Sequence, residues 1–118
     1  MSVESLAVKR TQYREALEQS VAAIQAALAQ MPHVHRAILF GSYAAGRRDL
    51  LTDLDILVIA DSSLDFVART AEMRRALSVP VDLDLLVYTP EEIERCCDRG
   101  FLRRALAEGI VIYEKDTA

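Results

Sequence analysis

The sequence predicts an α/β (α+β) fold: one domain with a mixed central sheet of about four strands, flanking helices and a long N-terminal helix. Three observations carry this expectation. Short aliphatic runs of strand length alternate with segments of helical periodicity. The stretch from Ser5 to Met31 has no Gly or Pro and repeats its apolar residues at helical intervals. The chain has 118 residues, 52% hydrophobic and 27% charged, which suffices for one core and not for two. A folded chain of this size keeps roughly 6,400 Å² of surface exposed, about a third of its extended value. With 4 Gly and 3 Pro the composition excludes collagen-like, disordered and low-complexity sequence.

Leu6, Tyr13, Leu17, Val21, Ile24, Leu28 and Met31 form the stripe of the first helix, which Pro32 stops. Val34–Phe40 reads as an aliphatic strand closed by Gly41 and Ser42, followed by a loop or short helical turn through Gly46 to Thr52. Asp53–Ala60 is the second strand. Ser62 and Ser63 offer hydroxyls to start a helix whose apolar side is Phe66, Val67, Ala71, Met73, Ala76 and Leu77, and it ends before Pro80. Val81–Tyr88 alternates as a third strand, with Asp82 and Asp84 on one face. Thr89-Pro90-Glu91-Glu92 is a capping box with proline at the first helical position, and that helix runs toward Asp98. After Gly100, a short helix from Phe101 to Ala107 and a strand from Ile110 to Tyr113 complete the order. No internal repeat or linker interrupts it, so residues 1–118 are expected to form one domain, with the helix in 1–32 and a core in 33–114.

The net charge of −4 disfavours a protein devoted to holding nucleic-acid phosphates. No apolar run approaches the ~20 residues of a membrane span. Residues Met1 to Arg14 mix charged and apolar groups instead of forming a signal-peptide core, so a cytoplasmic location is expected. Cys96 and Cys97 are neighbours on a helix and point in different directions, which suits two reduced thiols better than a disulfide or a metal site. His33 and His35 have ligand-pair spacing but lack a third ligand. Arg69, Arg74, Arg75, Arg95, Arg99, Arg103 and Arg104 read as solvated helix faces. The first helix is longer than so small a domain is wide, leaving part of its stripe for another chain, a partner or a second copy.

The segment Gly41-Ser42 through Asp53-Leu54-Asp55 stands apart. A Gly-Ser pair closing a strand lets the backbone approach an anion, and amides of the next turn can cradle phosphate oxygens. Alternation puts Asp53 and Asp55 on one strand face, about 7 Å apart at Cα, within reach of one divalent ion or a close pair. Asp82 adds a carboxylate from the next strand, and Asp84 another one alternation later. Such acids repel one another unless a cation neutralises them, and their oxygen donors suit Mg²⁺.

Gly-Ser, ten residues, then Asp-x-Asp resembles the pattern of the DNA-polymerase-β-like nucleotidyltransferases, and within them the minimal, stand-alone members. Pro80-Val81-Asp82, Val87 to Glu92, and Phe101-Leu102-Arg103-Arg104-Ala105 through Tyr113-Glu114 are similar to this group's C-terminal half. The resemblance implies that Gly41 and Ser42 hold nucleotide phosphates. It also implies that Asp53, Asp55 and Asp82 are the catalytic, metal-binding acids of a two-ion Mg²⁺ site. Arg47 and Arg48 lie within reach of the same space, and Arg47 is the cation we assign to nucleotide binding. Asp84 has no counterpart in the pattern and can assist or replace Asp82. Two departures stand out: Ala45 where the family usually has Arg, and Thr52 where it often has Ser.

The implied reaction moves a nucleoside monophosphate, AMP from ATP, onto a hydroxyl. With no room for the helical domain of larger members, the acceptor is expected on a partner or second subunit. Minimal members resemble the antitoxin of toxin–antitoxin pairs with a small helical HEPN protein, where the acceptor is a tyrosine hydroxyl. The alternative is a non-catalytic binding module that neutralises its partner by occlusion. Modification of a small molecule such as an aminoglycoside fits longer chains better.

Overall fold

The computed structural model describes residues 3–115 apart from 97 and 99. Cys97 and Arg99 therefore lie outside the described residues. Its elements are α1 (Val3–Ala29), β1 (Val34–Phe40), α2 (Gly41–Ala44), β2 (Leu54–Ala60), α3 (Phe66–Ala76), β3 (Leu83–Tyr88), α4 (Pro90–Cys96), α5 (Gly100–Glu108) and β4 (Ile110–Glu114). The sheet order is β3-β2-β1-β4, with β1 antiparallel to both neighbours and β2 parallel to β3. The expected mixed four-stranded sheet with flanking helices is therefore the fold.

Helices cover both faces of the sheet. On one, Leu17, Ile24 and Leu28 of α1 and Met73 of α3 pack on Ala37, Leu39, Leu54, Ile56, Val58, Leu85 and Val87. On the other, Leu102 of α5 meets Ile38 and Leu57, with Phe40, Leu86, Tyr88 and Ile93 around them. Removing these side chains from water is the main drive for the fold. The surface is 7290 Å², above the area-scaling expectation, and the long dimension is 51 Å. Apolar residues contribute to that surface along the chain, among them Val8 at the start of α1, 53% exposed, and Leu51 and Val67, 78% and 77% exposed.

Element boundaries depart from the sequence expectation in instructive places. The first helix stops at Ala29, before Met31, because Gln30 and Met31 bond back three residues to Ala27 and Leu28; Pro32 disfavours helical backbone at the residue before it. The cap of α3 is Asp65, not Ser62 or Ser63: its Oδ1 accepts from Ala68 N at 2.8 Å, whereas Ser62 Oγ accepts from Leu64 N within the preceding turn. The capping box of α4 forms, with Thr89 N donating to Glu92 Oε1 at 2.9 Å and Glu92 N to Thr89 Oγ1 at 3.3 Å. Strand β2 begins at Leu54 and β3 at Leu83, so Asp53 and Asp82 belong to the segments leading into the strands.

Arg69 is not on a solvated face. It is 5% exposed, donates to Val87 O at 2.9 Å and Leu64 O at 3.1 Å, and is paired with Glu92. One guanidinium thereby ties α3, β3 and α4 together. His35 pairs with Asp61 at 2.9 Å, and among the described residues no three His, Cys, Asp or Glu side chains are arranged to hold an ion.

Gly109 ends α5 where β4 must begin against β1. A Cβ there would lie 2.4 Å from both Ala105 O and Ile38 Cγ2. Replacing Gly109 with Ala is expected to cost about 1–3 kcal/mol through overpacking against backbone. Denaturant midpoints check this; a loss below about 0.5 kcal/mol would refute the contact.

Candidate active site

The site lies where β1 ends and β2 and β3 begin. In the register of β1 with β2, Phe40 faces Asp55, so the chain leaves β1 at Gly41 directly beside that carboxylate. Gly41 has φ +75°, and a Cβ on it would sit 2.1 Å from Asp55 Oδ2. Glycine is required there twice over, for its backbone conformation and for the space the carboxylate occupies.

In the parallel register of β2 with β3, Leu54 pairs with Leu83 and Asp55 with Asp84. Leu54 N also donates to Asp82 O at 3.0 Å, which carries the ladder one residue further back. The four acids thus stand in two ranks, Asp53 with Asp82 and Asp55 with Asp84. Asp55 is half-buried and its carboxyl is pushed up to about 6. Burial is the largest cause, followed by the charge of Asp84, a hydrogen bond with it, and the charge of Asp53. Asp84 is therefore the acid of the third strand that engages Asp55, and Asp82 stands in the outer rank beside Asp53. The signal was present in the sequence: Asp-Leu-Asp-Ile-Leu-Val at 53–58 and Asp-Leu-Asp-Leu-Leu-Val at 82–87 match in five of six positions. Two parallel strands laid side by side in that register double every acid.

The preceding loop is held by its own side chains. The Arg48 guanidinium lies 3.5 Å from the Tyr43 ring centroid and donates to Tyr43 O at 2.6 Å. Arg47 Nε donates to Asp49 Oδ2 at 2.7 Å on an exposed surface, and this bond raises Arg47 and lowers Asp49 in proton affinity. Thr52 is fully buried; its Oγ1 accepts from Asp49 N at 3.0 Å and bonds Asp49 Oδ1 at 3.2 Å, which closes the turn that delivers Asp53. Ser42, half-buried in α2, accepts from Arg47 N at its carbonyl. Ala45 is the exposed residue after α2.

Tyr13, expected only as part of the α1 stripe, reaches this end of the sheet. Its hydroxyl donates to Thr52 O at 2.7 Å. Its proton affinity is raised by burial first, then by the charges of Asp82 and Asp53. One phenol therefore braces both segments that lead into the acid-bearing strands. Beyond the acids, a cleft of about 480 Å³ is bordered by Asp53, Asp82 and Asp84 with Arg74 and Ser78.

The donors are carboxylate oxygens gathered where β2 and β3 begin, a chemistry that suits a hard divalent cation, with like charges close enough to perturb Asp55; among the described residues no three of them are disposed to hold an ion in this conformation. The charges of Asp84 and Asp53 bear on Asp55, and a cation would relieve that repulsion.

The family model for polymerase-β-type nucleotidyltransferases matches residues 22–118. The chain belongs to this nucleotidyltransferase family. A Methanocaldococcus jannaschii protein, MJ0604, provisionally named a protein adenylyltransferase, is 32% identical over 80 residues, covering 68% of this chain and 79% of that protein. In fold, the chain is similar to a provisionally assigned nucleotidyltransferase from Sulfolobus solfataricus, with a TM-score of 0.58 and 15% identity over 96% of this chain and 90% of the other. It also overlays a chain of the MntA–HepT toxin–antitoxin crystal structure at a TM-score of 0.48 and 21% identity, over 83% and 73% of the two chains. No helix among the described residues is long and apolar enough to cross a membrane.

Proposed function

We propose that this nucleotidyltransferase moves AMP from ATP onto a hydroxyl of a partner protein in a Mg²⁺-dependent reaction, as the antitoxin of a pair with a small helical HEPN-type toxin. The observation that carries the chemistry is the Asp55 carboxylate held between Gly41 and Asp84, with Asp53 and Asp82 in the rank beside it. The name of the M. jannaschii relative supports adenylyl transfer to protein. The HEPN partner rests on the sequence resemblance of the minimal members.

Asp53 and Asp55, with Asp82 or Asp84 from the neighbouring strand, would hold the magnesium ions, which when bound neutralise triphosphate charge and ease deprotonation of the acceptor hydroxyl. Gly41 leaves the space in which phosphate can approach Asp55, and Ser42 adds a hydroxyl beside it. Arg47 exchanges Asp49 for a phosphate oxygen. The acceptor oxygen bonds to the α-phosphorus, the bond from that phosphorus to the bridging oxygen breaks, pyrophosphate leaves, and the hydroxyl proton passes to a carboxylate of the third strand. Asp82 is the resemblance's choice for that role; the register favours Asp84. The cleft bordered by Asp53, Asp82 and Asp84 is the space we assign to the acceptor.

Incubation with Mg²⁺ and ATP labelled at the α-phosphate, with and without the protein encoded beside it, tests this by intact mass. One or more AMP units on the partner, absent with Asp53→Ala, is the expected result. The second reading, neutralisation by occlusion, is favoured by Ala45 and by Arg47 and Arg48 both being engaged within the loop. It predicts a stable complex without transfer, and neutralisation unimpaired in Asp53→Ala and Asp55→Ala.

A further inference from the structure

Tyr13 belongs to the part of α1 that lies outside residues 22–118, the stretch matching the family model, yet it reaches the end of the sheet where the acids gather. Its half-buried ring packs against the larger core cluster, so the phenol arrives from a fixed base. The hydroxyl donates to Thr52 O at 2.7 Å, and the backbone of Asp82 bonds to the same group. Thr52 is the residue before Asp53. Both contacts are thus to backbone, one on each side of the outer rank of acids. Asp53 and Asp82 stand just ahead of β2 and β3, and the ladder bond beside them is Leu54 N to Asp82 O at 3.0 Å. Like-charged carboxylates that must share a cation push their chain segments apart while the cation is away.

Resting on the nucleotidyltransferase reading, we infer that Tyr13 is a positioning residue, which holds the segments carrying Asp53 and Asp82 at the spacing a shared divalent cation requires. A magnesium-sized ion demands near-ideal distances to its oxygens, so carboxylates that must first be drawn together bind it more weakly. A neutral phenol that bridges two backbone segments opposes their separation without adding charge to the site. Phenylalanine would fill the same space but leave Thr52 O and the Asp82 backbone to water, with the segments free to part. The role is indirect: Tyr13 acts through the placement of the acids, and neither ligates the ion nor takes part in transfer.

Titration of the intact protein with Mn²⁺, followed by electron paramagnetic resonance of the free ion, tests the inference in the wild type, Tyr13→Phe, Ile24→Val and Asp53→Ala. Phenylalanine keeps the ring in the core, so Tyr13→Phe is expected to fold, and circular dichroism verifies this. Ile24 is a buried α1 residue of the same core cluster, so Ile24→Val loosens the helix without touching the bonds to Thr52 and Asp82. Tyr13→Phe should bind Mn²⁺ about tenfold more weakly than the wild type. Ile24→Val should bind it as the wild type does, although its melting temperature falls by about 4 °C. Asp53→Ala should lose the binding, which assigns the measured ion to these acids. Unchanged affinity in Tyr13→Phe overturns the positioning role and leaves the metal site standing. Equal weakening in Tyr13→Phe and Ile24→Val does likewise, since general loosening of α1 then accounts for both. A wild type that binds no Mn²⁺, or binds it equally well as Asp53→Ala, overturns the metal reading of the acids and the role of Tyr13 with it.

Discussion

Replacing Asp55 with Asn should raise the melting temperature of the metal-free protein at pH 7.5 while reducing transfer by more than about 100-fold. The two effects have one cause. The folded state holds the Asp55 carboxyl at about 6, above the ordinary value of 3.8, so the fold prefers the protonated form. Its contribution is favourable below the unfolded value, falls away as pH rises from about 4 through 6, and above that the ionised carboxylate is a standing penalty. Asparagine removes the charge and keeps a hydrogen-bonding partner for Asp84. Because Asp55 is only partly buried and solvent screens its neighbours, the gain is expected to be about 1 kcal/mol, roughly 4 °C, and to vanish at pH 4. Thermal melts in EDTA across that range check it; a gain independent of pH would mean that the carboxylates do not strain one another.

Gly41→Ala should be the most damaging single methyl in the site. It meets two independent obstacles, the φ of +75° and the Asp55 oxygen 2.1 Å from the new Cβ. The backbone part alone costs about 1–2 kcal/mol. The contact part exists only while Asp55 is present, so the two residues should couple. Gly41→Ala is expected to cost about 2–3 kcal/mol in the wild type and about 1 kcal/mol less in an Asp55→Ala background, with transfer lost in every variant. Equal costs in both backgrounds, measured by denaturant unfolding, would remove the contact from the argument.

The long apolar stripe, the aliphatic runs, Pro32 and the capping box at Thr89 and Glu92 are local signals, and each produced its element. Glycine, serine and the aspartate pair pointed to the candidate site because strand alternation and a turn are local too. What escaped was set by contacts between distant segments. Whether Asp84 or Asp82 meets Asp55 depends on the register of β2 against β3, which no periodicity within either strand determines. Arg69 has the composition of a surface helix residue, and only the arrival of Val87 and Glu92 from later elements makes its burial favourable. Tyr13 sits on the stripe like any core aromatic, and its hydroxyl gained a purpose when Thr52 came within reach, thirty-nine positions along the chain.

That phenol also makes the protein its own indicator dye. The chain has no tryptophan and only 4 tyrosines, so the ultraviolet spectrum of tyrosinate is not masked. Asp82 and Asp53 help hold the Tyr13 proton in place. A divalent cation settling on those acids withdraws that influence, and the alkaline absorbance titration of one tyrosine should move toward lower pH. Tyr88 supplies the internal standard, since burial, Cys96 and Glu92 raise it and none of the four aspartates does. Cation occupancy can thus be followed optically in the unlabelled protein, before any substrate or partner is added.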